Sequence, residues 1–306
     1  MSEPRTIQYL EHKKIDKQKW DSCISAAGNG LIYAYSFYLD HMSPNWDALV
    51  SGDYEIVMPL PWKKKWGILY LQQPFLVAQT GVFGNGLSTS IVEDFIDAIP
   101  SKFRLIEIPL NRDNIIDSMP HELSLRANYV LDLRPSYNEM YSAYRENSKR
   151  NIKRAEKLGC TIVKNFAPEK VIDLALEQMR TREKVVIENA TRFKELYYLL
   201  HSEQKAVTYG IELNGKLISS CIFFFSHNRA YYILVGNHPD GKTIGASHML
   251  IDAFIKDHAG QSMVLDFEGS DIRNLAFFYT SFGATLENYP FLRINNLPFY
   301  MKWLKK

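Results

Sequence analysis

The chain has 306 residues, 46% of them hydrophobic and 23% charged, with a net charge of +2. This is ordinary globular composition and excludes disorder, and the near-neutral balance argues against non-specific binding to DNA. The length exceeds the usual single-domain size and predicts two domains. Cys23, Cys160 and Cys221 are scattered, odd in number and without metal spacing, so they read as free thiols of a reducing compartment. Met1 to Trp20 has no apolar core for a signal peptide, and no apolar run approaches membrane-spanning length. A cytoplasmic protein with no membrane span is the expectation.

The first part alternates helical and strand patterns. Asp16 to Ala27 and Ile91 to Ile99 read as helices. Tyr54 to Trp62 and Ile68 to Phe75 read as two strands turning at Lys63-Lys64-Lys65, and Phe103 to Leu110 as another strand. The pattern restarts near Tyr129 with a strand to Leu133. Pro135-Ser136 then opens a long helix that Gly159 ends. Tyr141, Tyr144, Ser148, Ile152 and Ala155 give that helix a face for burial. Arg145, Lys149, Lys153 and Lys157 form a basic face, with Arg150 and Arg154 beside it.

Pro168 to Arg182 reads as a further helix. Ala206 to Leu213 and Lys216 to Phe225 are strands joined by the hairpin signal Asn214-Gly215, and Ala230 to Gly236 continues the meander. The loop HPDGKTIGAS leads into a helix with Ala246, Met249, Leu250, Ala253 and Phe254 on one face. Last comes MVLDFEGSDIRNLAFFYTSFGA, Met263 to Ala284. Here an apolar strand runs into acidic residues, a Gly-Ser turn and an aromatic helix.

Asp266 and Glu268 are two apart, so on a strand they share a face, and two carboxylates at a strand end are costly to bury without partners. They are the candidate acid–base pair, or else one caps the helix starting near Ser270 and the other ties down a loop. The loop before Ser247 offers unpaired N–H groups at a helix N-terminus and a glycine for close backbone approach, which suits a phosphate; an ordinary helix start capped by Thr243 or Ser247 is the alternative. The basic face could hold a polyanion or be a solvated helix face. No histidine spacing supports a metal, and neither a nucleophile-elbow nor a nucleotide-hydrolase loop occurs.

The order of elements from Tyr129 onward resembles the GNAT acyltransferase superfamily. The stretches SKRNIKRAEKLG (Ser148 to Gly159) and LDFEGS…FYTSFGA (Leu265 to Ala284) are similar to its Fem-type branch, which includes peptidoglycan-bridge peptidyltransferases. The resemblance is best over 129–290. It implies an α/β fold of mixed sheets in two tandem GNAT-like domains, 1–128 and a better preserved 129–290. A tail, 291–306, would return to the first domain, and each domain would have its own sheet.

It also implies roles. Lys242, Gly245 and Ser247 match the pattern that holds an acyl-CoA pyrophosphate, with Thr243 and Ala246 beside them. Tyr279, set before Gly283 at the family's spacing, corresponds to the general acid at the leaving group, although the asparagine usual upstream is Ile272 here. Tyr279 could equally be an aromatic core residue. Glu268, with Asp266, would be the base, and Tyr144, Arg150 and Arg154 would meet the substrate. A backbone N–H near Leu234 to Gly236 would hold the oxyanion. The expected activity is transfer of an acyl group, from acyl-CoA by preference, to a small-molecule or peptide-like amine, without a metal. A peptidyltransferase using aminoacyl-tRNA and an inactive binding module are the competing expectations.

Overall fold

The structure is a computed structural model and describes residues 6–117, 122–179, 184–269 and 271–298. Contacts divide the chain into two units, Met1–Arg126 with Asn288–Lys306, and Ala127–Glu287.

In the first unit β1 (Ile7–Leu10) precedes α1 (Lys17–Ala26), which starts where the Asp16 carboxylate accepts the N–H groups of Gln18 and Lys19. After α2 (Ser36–Met42) come β2 (Trp46–Ser51), β3 (Ile56–Lys65), β4 (Ile68–Gln72) and the short β5 (Phe83–Gly84). Then follow α3 (Thr89–Asp97) and β6 (Phe103–Pro109). Lys63, Lys64 and Lys65 are not the turn: they belong to β3, paired with Tyr70, Leu69 and Ile68. The chain reverses at Trp66 and Gly67, both at positive φ. Strands β1 to β4 are antiparallel neighbours, and β4 runs parallel to β6. Val92, Phe95 and Ile96 of α3 pack into the core against Leu71, Phe103 and Ile106.

The boundary falls inside β7 (Glu122–Asp132), and the second lies in the last strand, Thr285–Asn295. The chain therefore passes between units along strands rather than linkers.

In the second unit the expected long helix is two: α4 (Tyr137–Ala143) and α5 (Glu146–Lys157). Tyr144 and Arg145 adopt extended backbone between them, and the Arg145 N–H donates to Ser281 O at 2.9 Å instead of continuing the helix. Next come β8 (Thr161–Lys164), α6 (Glu169–Met179) and α7 (Lys184–Ser202). The sequence reading did not place α7, although Phe193, Leu196, Tyr197 and Leu200 are buried at helical spacing. The meander is β9 (Ala206–Leu213), β10 (Lys216–Ser226) and β11 (Arg229–Asn237). The expected loop after it is largely helical, α8 (Pro239–Ile244), and leads through Gly245 into α9 (Ala246–His258). The unit closes with β12 (Val264–Asp266), α10 (Arg273–Thr280) and the start of β13 (Thr285–Asn295).

The strand order β7-β12-β11-β10-β9-β8 is antiparallel except for parallel β12 and β11. Alternation along β10 sends successive side chains to opposite faces. Phe223 stacks on Phe254 of α9 at 3.8 Å between centroids, while Phe224 meets Phe193 of α7 at 5.5 Å. The sheet thus lies between two helical layers.

Gly245 joins α8 to α9 at φ +89, and a Cβ there would stand 2.4 Å from the Asn151 carbonyl oxygen of α5. Both facts require glycine. Gly245→Ala should therefore cost about 2 kcal/mol or more in chemical denaturation, rather than leave the fold untouched. Unchanged stability would show that α5 does not press on this position.

Candidate functional site

β11 and β12 pair for only three residues, Arg229 to Tyr231 against Val264 to Asp266. Beyond them the two strands part. On its other edge β11 carries a bulge: Ile222 pairs with Leu234 and Phe223 with Tyr232, so Ile233 is an extra residue. A cavity of about 490 Å³ opens here, bounded by Tyr232, Ile233 and Val235 of β11, His248 of α9, Glu268, and Leu275, Phe278 and Tyr279 of α10. That volume suits a small ligand.

The root of the parting is ionic. The Arg229 guanidinium, 6% exposed, donates to Asp266 at 2.5 Å and to Glu287 at 3.1 and 3.2 Å. Burial alone would lower the Arg229 pKa, but the two carboxylates outweigh it and raise it above the ordinary value. Asp266 also accepts the N–H of Glu268 at 2.8 Å. Its carboxylate is thus engaged on both sides and does not line the cavity.

Glu268 does. It has φ +65 and is followed by Gly269 at φ +81, so the chain turns sharply just past β12. A left-handed glutamate is costly and is the kind of local strain found at functional sites. Ser270, the expected helix start, lies outside the described residues; α10 begins at Arg273 with no side-chain cap.

Tyr279 is 6% exposed and stacks on Phe267 at 4.5 Å between centroids. Burial, then the charges of Glu268 and Asp266, push its phenol above the ordinary value, so it holds its proton. α10 is tied to α5 by a buried relay in which Ser148 Oγ donates to Ser281 Oγ at 2.6 Å and Ser281 Oγ to Phe278 O at 2.6 Å.

The loop residues fare differently. Gly245 and Ser247 border the cavity, Ala246 is buried in the core and Thr243 is exposed. Lys242 lies on α8, and its side chain is outside the described ones. The void beside the Gly245 α-carbon is filled by Asn151, which accounts for the glycine without a phosphate. Tyr144 is buried against Phe282 at 5.2 Å, and Arg150 and Arg154 are exposed on α5; none of the three lines the cavity.

Three lining residues lacked a sequence signal. His248 packs edge-on against Phe278 at 4.8 Å, and the Asn151 amide faces its Nε2 at 3.4 Å. Burial lowers its pKa to about 4. The carbonyl oxygen of the Asn237 side chain accepts from Ser219 at 2.6 Å and from Ser247 at 2.8 Å. Gln178 accepts the Asn237 N–H at 2.8 Å. Among the described residues no group of histidine, cysteine and carboxylate side chains could hold a metal ion, and no helix is long and apolar enough to cross a membrane.

A parted parallel strand pair, a bulge opposite the parting and a helix leading away from the strand end define an acyltransferase-like architecture. Residues 142–272 match the family model described as an acetyltransferase (GNAT) domain. Over 96% of this chain and 99% of the other, the fold is similar to that of FemX, with TM-score 0.65 and 12% identity. A tandem GNAT protein from the clavulanic acid biosynthesis pathway aligns over 96% and 99%, with TM-score 0.59 and 11% identity. The C-terminal domain of a putative lysylphosphatidylglycerol synthetase from Agrobacterium fabrum aligns over 92% of each chain, with TM-score 0.53 and 10% identity. No curated protein matches the sequence. The chain has a Fem-like tandem GNAT fold with mixed α/β architecture.

Two solution experiments test this anatomy. Asp266→Asn, which leaves a buried arginine short of one partner, should cost about 3–5 kcal/mol in urea unfolding, whereas Glu268→Gln should stay within about 0.5 kcal/mol. Equal losses would erase the distinction between scaffold and site. His248 binds its proton less readily folded than unfolded, so stability should fall as pH drops from 6.5 towards about 4. His248→Gln should flatten that part of the profile; an unchanged slope would place the titration elsewhere.

Proposed function

We propose that the protein is an N-acyltransferase that works in the second of two domains, 129–290, on an amine acceptor by direct attack within a ternary complex. The observation that carries this reading is Glu268, held at positive φ beside the cavity where β11 and β12 part. In the proposed reaction the amine nitrogen attacks the donor carbonyl and gives its proton to the Glu268 carboxylate. The tetrahedral oxygen is held by a backbone N–H of β11 near the bulge. As the carbon–sulfur bond of a thioester breaks, Tyr279 supplies a proton to the leaving thiolate, a task for which its raised pKa keeps it protonated. Asp266 serves as scaffold in this scheme.

Acyl-CoA is the preferred donor, supported by the acetyltransferase description of the matching domain and by the α9 N-terminus bordering the cavity at Ser247. Lys242, Thr243 and Ala246 complete the proposed donor loop. The Gly245 packing removes one support for a phosphate there. Aminoacyl-tRNA is the second reading, supported by the exposed basic side chains of α5, Arg150 and Arg154 among them. The fold shared with a putative lysylphosphatidylglycerol synthetase is compatible with it. We place the protein in the cytoplasm.

The donor is tested by thermal shift and calorimetry with CoA, acetyl-CoA and charged tRNA. Acyl-CoA should raise the melting temperature in proportion to ligand excess. Silence with CoA together with salt-dependent tRNA binding would transfer the assignment to the second reading. With a working donor, Glu268→Gln should lower kcat by about a hundredfold or more at unchanged melting temperature, and Tyr279→Phe should lower it most for poor leaving groups. Full activity of Glu268→Gln would remove it as the base.

A further inference from the structure

The first unit contains a larger cavity, about 720 Å³, lined wholly by residues of that unit. Its floor is a polar stripe across neighbouring strands. Gln72 of β4 is in register with Glu107 of β6, and Glu107 with Arg293 of β13. Arg293 is neutralised there, 3.5 Å from Glu107 and 3.3 Å from Glu122.

Arg126 is different. Its guanidinium lies 3.7 Å from the centroid of the Phe291 ring, and its Nη1 donates to Gln73 Oε1 at 3.0 Å. The aromatic contact and the amide hold the planar fork in place at one edge. Among the described residues no carboxylate pairs with it, although its neighbour Arg293 has two. A half-buried cation with its plane fixed and donors to spare is suited to bidentate capture of an oxyanion. We propose that this cavity binds a small ligand carrying a carboxylate, of amino-acid or short-peptide type, with Arg126 as the anion fork.

The charge balance selects the carboxylate over phosphate. The four ionised lining residues, Glu107, Glu122, Arg126 and Arg293, cancel. A dianion would meet two nearby glutamates, whereas a carboxylate adds one charge to one free fork. Glu122, 78% exposed at the rim, remains accessible to an ammonium group at the far end of a zwitterion. Gln72 and Ser124 supply the neutral polar groups that a peptide link requires. The inference is independent of the transferase reading, because no residue of the second unit takes part.

The full-length protein would be titrated by calorimetry and ligand-observed NMR with glycylglycine, N-acetylglycine, glycinamide and inorganic phosphate. Glycylglycine should bind best, N-acetylglycine should bind through its carboxylate, and glycinamide should not bind detectably. Arg126→Gln should weaken glycylglycine by about tenfold to a hundredfold, and Arg126→Lys by at least tenfold, since a point charge lacks the fork. Phe291→Leu, which removes only the ring beneath the fork, should give an intermediate loss. Each variant would be checked for an unchanged circular dichroism spectrum and melting temperature. The proposal is overturned if no carboxylate ligand binds, if glycinamide or phosphate binds as tightly as glycylglycine, or if both Arg126 variants retain full affinity.

Discussion

A buried arginine sets the geometry of the second unit. Arg229 holds Asp266 at the end of β12 and Glu287 at the start of β13, so the strands that part to make the cavity are clamped at their root. A guanidinium at this depth loses its hydration, and only paired carboxylates make its burial tolerable. The clamp fixes Asp266, and the N–H of Glu268 hangs from that carboxylate. The turn that presents Glu268 therefore depends on an ion pair that does not itself face the cavity. Two carboxylates two residues apart thus have separate surroundings: one is engaged by Arg229, and the other borders the cavity.

The opposite wall is positioned by hydrogen bonds between helices. Ser281, just past α10, accepts the Arg145 N–H through its carbonyl and the Ser148 hydroxyl through its side chain. These contacts interrupt what would otherwise be one helix from Ser136 to Gly159, and they hold Phe278 and Tyr279 against the cavity. α5 also presses on Gly245, which sets where α9 begins. A glycine that resembles a phosphate-loop element is thereby also a packing residue, and its sequence context does not distinguish the two demands. Both require an absent Cβ.

The two cavities differ in chemistry. That of the second unit is mostly apolar, with Glu268, a neutral imidazole and amide groups at its edges. A low-polarity wall strengthens every electrostatic contact within it and keeps Tyr279 protonated. The cavity of the first unit has a floor of charged and amide side chains in strand register, and among the described residues its one charge without an ion-pair partner is a planar cation. Such a surface recognises charge and shape and offers no base beside a nucleophile.

Much of the fold was legible in the sequence because its signals are local. Alternation placed β9, β10 and β11 within a residue or two, Asn214-Gly215 marked their hairpin, and Asp16 and Ser136 announced the helices they cap. The concentration of cavity-lining residues in Met263 to Ala284 was also legible, since an apolar strand leading into carboxylates and an aromatic helix is a pattern along the chain. What only the tertiary structure decided is which of those side chains reach the cavity. Arg229 is thirty-seven positions from Asp266 and fifty-eight from Glu287, and no short-range pattern joins them. His248 and Asn237 carry no motif and reach the cavity through the placement of α9 and the end of β11. The break between α4 and α5 has no proline or glycine to signal it, because its cause is a carbonyl more than a hundred residues away at Ser281. Periodicity and caps act between neighbours in sequence, whereas a buried charge takes whichever partners the folded chain brings within hydrogen-bonding distance.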